Sequence, residues 1–173
     1  LRLHATQADG IWFARNTLTQ KAQGPAMRAV AKVDIAGIKP GDICGFGSFG
    51  KYSAQLSIVG GEKPAHTLRM TVTKSTQNGP KAEDRFTSLP LDGDMLWLRA
   101  DMDFRTNRGR LAYSQDKRRW VNVGGFFSLA FDWRTGTFQG QQVALSCYNP
   151  ARSEGYLDVD SVTFMPLPTG VSP

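Results

Sequence analysis

The sequence predicts an all-β protein of one domain, an antiparallel sandwich or barrel, on three observations. Apolar and polar residues alternate at period two in many short stretches. Gly, Pro or Asn punctuates the chain between them every 8–12 residues or so. No 11-residue window carries an apolar stripe at helical spacing. No repeat of fixed period is present, which argues against a propeller or a solenoid.

The elements follow in order. Leu1–His4 reads as a strand, so the chain opens inside an element, as a module of a longer protein would. A polar turn precedes an extended stretch over 13–21, which Gly24-Pro25 ends. From Met27 to Ile35, Met27, Ala29, Ala31, Val33 and Ile35 face one way and Arg28, Lys32 and Asp34 the other. Lys39-Pro40-Gly41-Asp42 turns into a glycine-rich strand ending at Phe49, whose Gly45 and Gly47 suit a flat segment that something approaches closely. Strands over 52–59 and 66–74 follow, and Asn78-Gly79-Pro80 reads as a stop.

Met95–Phe104 gives the clearest pattern. Leu96, Leu98, Ala100, Met102 and Phe104 line one face, and Trp97, Arg99, Asp101 and Asp103 the other. Burying a large apolar side chain is worth about 1.5–3 kcal/mol, so this row alone fixes its register. Turns at 106–109 and 116–117 bound strands over 110–115 and 120–123. Phe138–Phe164 reads as a closing hairpin of two strands broken at Asn149-Pro150. The domain is placed at 1–166, with 167–173 a proline-broken tail.

Composition sets the limits. A chain of 173 residues buries roughly 70% of its unfolded surface and needs no staple to fold. No apolar run approaches the roughly 20 residues of a membrane helix. The net charge of +6 invites a nucleic-acid reading, but the basic residues are dispersed and only Lys117-Arg118-Arg119 clusters, in a turn; we expect neither a nucleic-acid nor a membrane partner. Cys44 and Cys147 lie far apart in apolar strand patterns and read as buried free thiols, with a disulfide as the alternative in an exported protein.

Catalytic motifs are scarce. There is no GxSxG, no phosphate loop, and His4 and His66 sit in strand patterns as structural histidines do. Asp101 and Asp103 share a face roughly 7 Å apart, a spacing seen in inverting glycosidases, though cross-strand pairing with Arg99, Arg28 or Arg69 is the ordinary role of such residues. Asp158 and Asp160, with Glu154 near, offer hard oxygen donors, and Asp160 is the first candidate ligand for a structural calcium ion. Trp97 and Tyr148 fall on polar faces, where an aromatic on a rigid sheet gives a platform for a sugar ring; Phe49, Tyr52, Trp12 and Trp133 stand near strand ends.

Several strings, taken in order, carry a family resemblance: LRLHA, ARNTLTQK, GP at 24–25, KPGD, LAYSQDKRRWVNVG, and FxGxxxALSCYNP followed by GYLDVDSVTF. Together they resemble the C-terminal concanavalin A-like β-sandwich domain of family 43 glycoside hydrolases, the β-xylosidases and α-L-arabinofuranosidases. The resemblance implies a jelly roll of two curved antiparallel sheets, a catalytic five-bladed propeller elsewhere in the parent protein, an extracellular or periplasmic location, and a role in binding xylan-type polysaccharide. It also strengthens the calcium expectation at Asp158 and Asp160. The chain departs from the family at Ala144-Leu145-Ser146 and at Asp160-Ser161-Val162, where an aromatic is lost.

The expected function is a non-catalytic carbohydrate-binding module, with Trp97 or Tyr148 stacking on sugar and Arg15, Asn16, Arg99 and Asp101 bonding hydroxyls. A purely structural brace for the catalytic propeller is the alternative, and a free-standing sandwich hydrolase or lyase built on Asp101 and Asp103 is the third.

Overall fold

A computed structural model describes residues 1–62, 66–76, 78–91, 93–131, 140–152 and 154–167, with the backbone alone at 84–90. Its strands are β1 (Arg2–His4), β2 (Thr6–Gln7), β3 (Leu18–Lys21), β4 (Ala26–Asp34), β5 (Ile43–Phe49), β6 (Tyr52–Val59) and β7 (Thr67–Thr76). They continue as β8 (Gly79–Pro90), β9 (Met95–Asp103), β10 (Arg108–Ser114), β11 (Val121–Ser128), β12 (Gln142–Asn149) and β13 (Tyr156–Pro166). Two sheets form a concanavalin A-like sandwich. The first runs β1-β13-β4-β9-β10-β11, the second β2-β12-β5-β6-β7-β8 with β3 also on β12.

The period-two rows supply the core. Met27, Ala29, Ala31 and Val33 of β4 and Leu96, Leu98, Ala100 and Met102 of β9 face Phe46, Leu56, Ile58, Leu68 and Met70 of the second sheet. The β4·β9 ladder sets Arg28 opposite Asp101 and Lys32 opposite Trp97, so the polar residues of both strands emerge together on the outer face. Leu167 is buried beyond β13 and its amide donates to Ala26 O at 3.0 Å, which extends the packed chain one residue past the expected boundary.

Four expectations change. The closing hairpin does not exist: β12 lies in the second sheet and β13 in the first, and the Asn149-Pro150 break carries the chain from one layer to the other. Gly79-Pro80 opens β8 instead of stopping a strand, since as the outermost strand of its sheet it tolerates a proline that gives no ladder hydrogen bond. The extended stretch over 13–21 shrinks to β3, because residues 10–17 form turns, with Phe13 and Ala14 amides both donating to Gly10 O. The cysteines are not free thiols. Cys44 and Cys147 sit directly opposite each other on β5 and β12, buried on the inner face, and are joined as a disulfide.

The glycine-rich strand answers its own question. A Cβ on Gly47 would stand 2.0 Å from the Ala54 carbonyl oxygen, so what approaches closely is the backbone of the neighbouring β6. In β11, Gly124 and Gly125 both take positive φ and form a bulge, across which the partner of Arg110 is Phe126 while that of Leu111 is Val123.

Candidate functional site

On the outer face of the first sheet, four strands lay their outward residues in ranks. Ser161, Lys32, Trp97 and Ser114 make one rank; Thr163, Val30, Arg99 and Ala112 the next; Met165, Arg28, Asp101 and Arg110 the third. The turn after β10 folds over these ranks. Asp116 organises that turn by accepting from the backbone amides of Arg118 and Arg119, both at 2.8 Å, and these bonds hold its carboxyl below the usual range. The turn thereby presents Lys117 and Trp120 above the sheet. A trough of about 270 Å³ results, with Trp97 and Trp120 as its aromatic walls.

The electrostatics of the trough centre on Asp101, which is only 1% exposed. Arg28 donates to it from Nε at 2.7 Å and from Nη2 at 2.8 Å, and Arg99 Nε lies 3.3 Å away. The bond to Asp101 raises the pKa of Arg28, whereas burial, aided by the charges of Arg28 and Arg110, lowers that of Arg99. The Arg99 guanidinium stacks over Trp120, 4.7 Å from the ring centre, and reaches Asn122 Oδ1 at 3.3 Å. Lys32 bonds Asp160 at 2.6 Å and lies 5.8 Å from the centre of the Trp97 ring.

Asp101 and Asp103 do not form a catalytic pair. Asp103 is buried and accepts from Arg105 Nε at 2.9 Å and Nη2 at 3.0 Å, with the Arg105 amide also at 2.9 Å. Those bonds hold its carboxyl below the usual range. Two carboxylates each clasped by a guanidinium offer neither a proton donor nor a free base, and neither lines the trough.

A second groove of about 340 Å³ lies on the outer face of the other sheet. Tyr148 and Ser146 of β12, Gln55 and Ser57 of β6, and Trp12 with the 59%-exposed Phe13 border it. Trp12 packs on Phe49 with ring centres 4.8 Å apart. Gln55 Nε2 donates to Ser48 O at 3.0 Å, while its buried Oε1 meets no hydrogen-bond partner among the described residues.

The expected binding residues therefore divide. Trp97 and Arg99 line the trough together, and Asp101 stands behind its arginines, not open to a ligand. Tyr148 is on the opposite face of the sandwich. Asn16 is a brace: its Nδ2 donates to His4 O and, at 2.9 Å, to Cys147 O, tying β1 to β12, while Thr6 Oγ1 donates to its Oδ1 at 3.1 Å. Arg15 is exposed and lines neither groove, and Trp133 lies outside the described residues.

Asp158 and Asp160 do not fit a calcium site. Arg2 holds Asp158 through two bonds of 2.8 and 2.7 Å, which lower the carboxyl's pKa, and Lys32 holds Asp160. Glu154 pairs with Arg152 at 3.4 Å, and no cluster of three acidic or imidazole ligands stands among the described residues. Sequence reasoning passed over Trp120, Lys117 and Lys32 as site residues, and named Arg28 only as a cross-strand partner of the aspartates, the role it fills. The outward half of the Met27–Ile35 alternation carried the signal for Lys32, and Trp120 stood inside the quoted string LAYSQDKRRWVNVG, just past the β10 turn.

A two-sheet antiparallel sandwich of this topology defines the class of concanavalin A-like domains. Residues 1–165 match the family described as the β-xylosidase C-terminal concanavalin A-like domain, and the chain belongs to that family. A β-xylosidase of Formosa agariphila is 29% identical over 165 residues; the match covers 92% of this chain and 25% of that protein, so the chain spans about a quarter of its relative's length. The fold recurs in a bifunctional GH43-CE protein of Bacteroides eggerthii (TM-score 0.82, 23% identity, 97% of this chain and 21% of that one). It also recurs in a xylan β-1,4-xylosidase from Bacillus halodurans (TM-score 0.75, 13% identity, 95% and 32%).

Proposed function

We propose that this chain is a non-catalytic carbohydrate-recognition module of a family 43 glycoside hydrolase acting on xylan-type polysaccharide, its partner being the parent's catalytic propeller. One observation carries the reading: Trp97 and Trp120 flank a trough whose floor is a rigid four-strand ladder and whose rim bears hydrogen-bond donors. Aromatic faces meet the apolar faces of sugar rings, and Thr163, Ser161 and Lys32 are placed to bond hydroxyls. An open trough buries little of its ligand, so the affinity is weak. A location outside the cytoplasm is part of the proposal, and the Cys44–Cys147 disulfide supports it.

Affinity electrophoresis on xylan tests the reading. Migration is retarded for the native chain and restored toward that of a non-binding control by Trp97→Ala and Trp120→Ala; unchanged mobility of the native chain overturns it.

A second reading, a brace for the catalytic partner, has its own observation. Leu18 (45% exposed) and Phe164 (39%) border an apolar groove with Val143, Leu145 and Val162. Under that reading Leu18→Ser and Phe164→Ser raise the solubility of the isolated chain and weaken its association with the propeller.

A further inference from the structure

We infer that the trough between Trp97 and Trp120 takes an acidic sugar, a uronic acid carried on the glycan chain, and that its cations receive the carboxylate. The inference rests on reading this trough as a sugar site and adds the chemical class of the sugar. Its basis is a charge imbalance. Arg28, Lys32, Arg99 and Lys117 all line the trough, and among the described residues no carboxylate does. Behind them Asp101 is the only acid of its rank, and Arg28 already occupies both of its oxygens. Arg99 must share Asp101 at 3.3 Å although its own side chain is only 14% exposed. Lys32 has Asp160, while no ion-pair partner stands near Lys117 among the described residues.

Three cations around one buried carboxylate, Arg28, Arg99 and Arg110, repel one another in a setting that water screens poorly. A neutral ligand would bury that surplus further, whereas a carboxylate would relieve it through charge-assisted hydrogen bonds. Among the described residues nothing engages Arg28 Nη1 or the Lys117 ammonium, so a carboxylate has donors from both sheet and turn. The two indoles restrict which anion is suited: a flat apolar face opposite a charged rim matches a pyranose ring with one carboxyl group better than a bare inorganic anion. The second groove lacks this bias, since Asp9 and Arg69 both border it.

Titration calorimetry on the 173-residue chain tests the inference, with oligosaccharides from glucuronoxylan as ligand before and after reduction of their carboxyl groups to alcohols. The acidic form binds about tenfold tighter or more, the scale of one hydrogen bond to a charged group. Raising salt to about 0.5 M narrows the gap. Lys117→Asn, which keeps a residue that tolerates the positive φ of that position, lowers the affinity for the acidic form. Equal affinities for the acidic and reduced forms overturn the inference and leave the sugar-site reading standing. Competition by polyglutamate as strong as that by the acidic oligosaccharide also overturns it, because the trough would then read charge alone. Absence of binding to either form overturns both.

Discussion

Arg28 stands directly across the β4·β9 ladder from Asp101 and closes on it with two parallel bonds of 2.7 and 2.8 Å. A bidentate pair at one rung couples charge to register. If either strand slips by one residue, the carboxylate is set opposite Met27 or Ala29 and one of the two charged side chains turns toward the core.

Asp101→Asn therefore leaves Arg28 and Arg99 without their shared counter-charge. Breaking a buried pair from one side costs about 3–5 kcal/mol, and the partial exposure of Arg28 brings the expected loss to about 2–3 kcal/mol. The exposed pair Lys32–Asp160 is worth under about 1 kcal/mol, so Asp160→Asn serves as the internal comparison. Urea unfolding of the two variants measures both, and a smaller loss for Asp101→Asn than for Asp160→Asn contradicts this account.

The disulfide closes a loop between positions 103 residues apart. Constraining an unfolded chain over that span stabilises the fold by about 4–5 kcal/mol on the chain-entropy model, with typical measured values of about 2–4 kcal/mol. Replacing both Cys44 and Cys147 by Ala lowers the urea midpoint accordingly. An unchanged midpoint in the double variant would show that the cross-link contributes no net stability.

Gly47→Ala tests the close approach of β5 and β6. The added Cβ meets the Ala54 carbonyl oxygen, a backbone atom that moves only if the ladder moves, so at least about 2 kcal/mol is lost. Gly125→Ala is limited by its positive φ alone, since no atom lies within 4 Å of the added Cβ, and costs about 1–2 kcal/mol. Circular dichroism melts should rank the two in that order.

Acid lowers stability through a definite set of groups. Asp103, Asp116 and Asp158 all have folded pKa values depressed, the first by Arg105, the second by the Arg119 and Arg118 amides, the third by Arg2. A depressed folded value contributes stability that is complete above the unfolded value of about 3.9 and vanishes as pH falls through the folded one. The urea midpoint thus holds steady from about pH 7 to 5 and drops below about pH 4. In the triple Asp→Asn variant the drop is shallower; an equal drop would move the cause to other groups.

The alternation of Met95–Phe104 and Met27–Ile35 carried the sandwich, because burial on one face leaves a period that local sequence records. Which strands pair is a property of the whole chain and left no such trace. Hence β12 and β13, each correctly placed as a strand, belong to different sheets. The same division runs through the site. Trp97, Arg99 and Asp101 are spaced by two on one strand and were legible as neighbours, whereas Tyr148 looked equivalent only because its strand assignment hid which layer it faces. Lys117 and Trp120 reach the trough through a turn, and Asn16 acts through backbone carbonyls of distant strands; neither leaves a periodic mark.

The position of β13 has a consequence for the ribosome. Although it is the last strand among the described residues, it lies inside the first sheet, with β1 on one flank and β4 on the other, and the Leu1 backbone nitrogen donates to Val159 O at 2.9 Å. During translation β1 and the free flank of β4 must wait, unpaired, until β13 has emerged. A nascent chain stopped before Tyr156 exposes two sticky borders, a hazard of edge-to-edge association. Emergence of Tyr156–Pro166 from the exit tunnel, more than any early collapse, is the moment at which this layer can close.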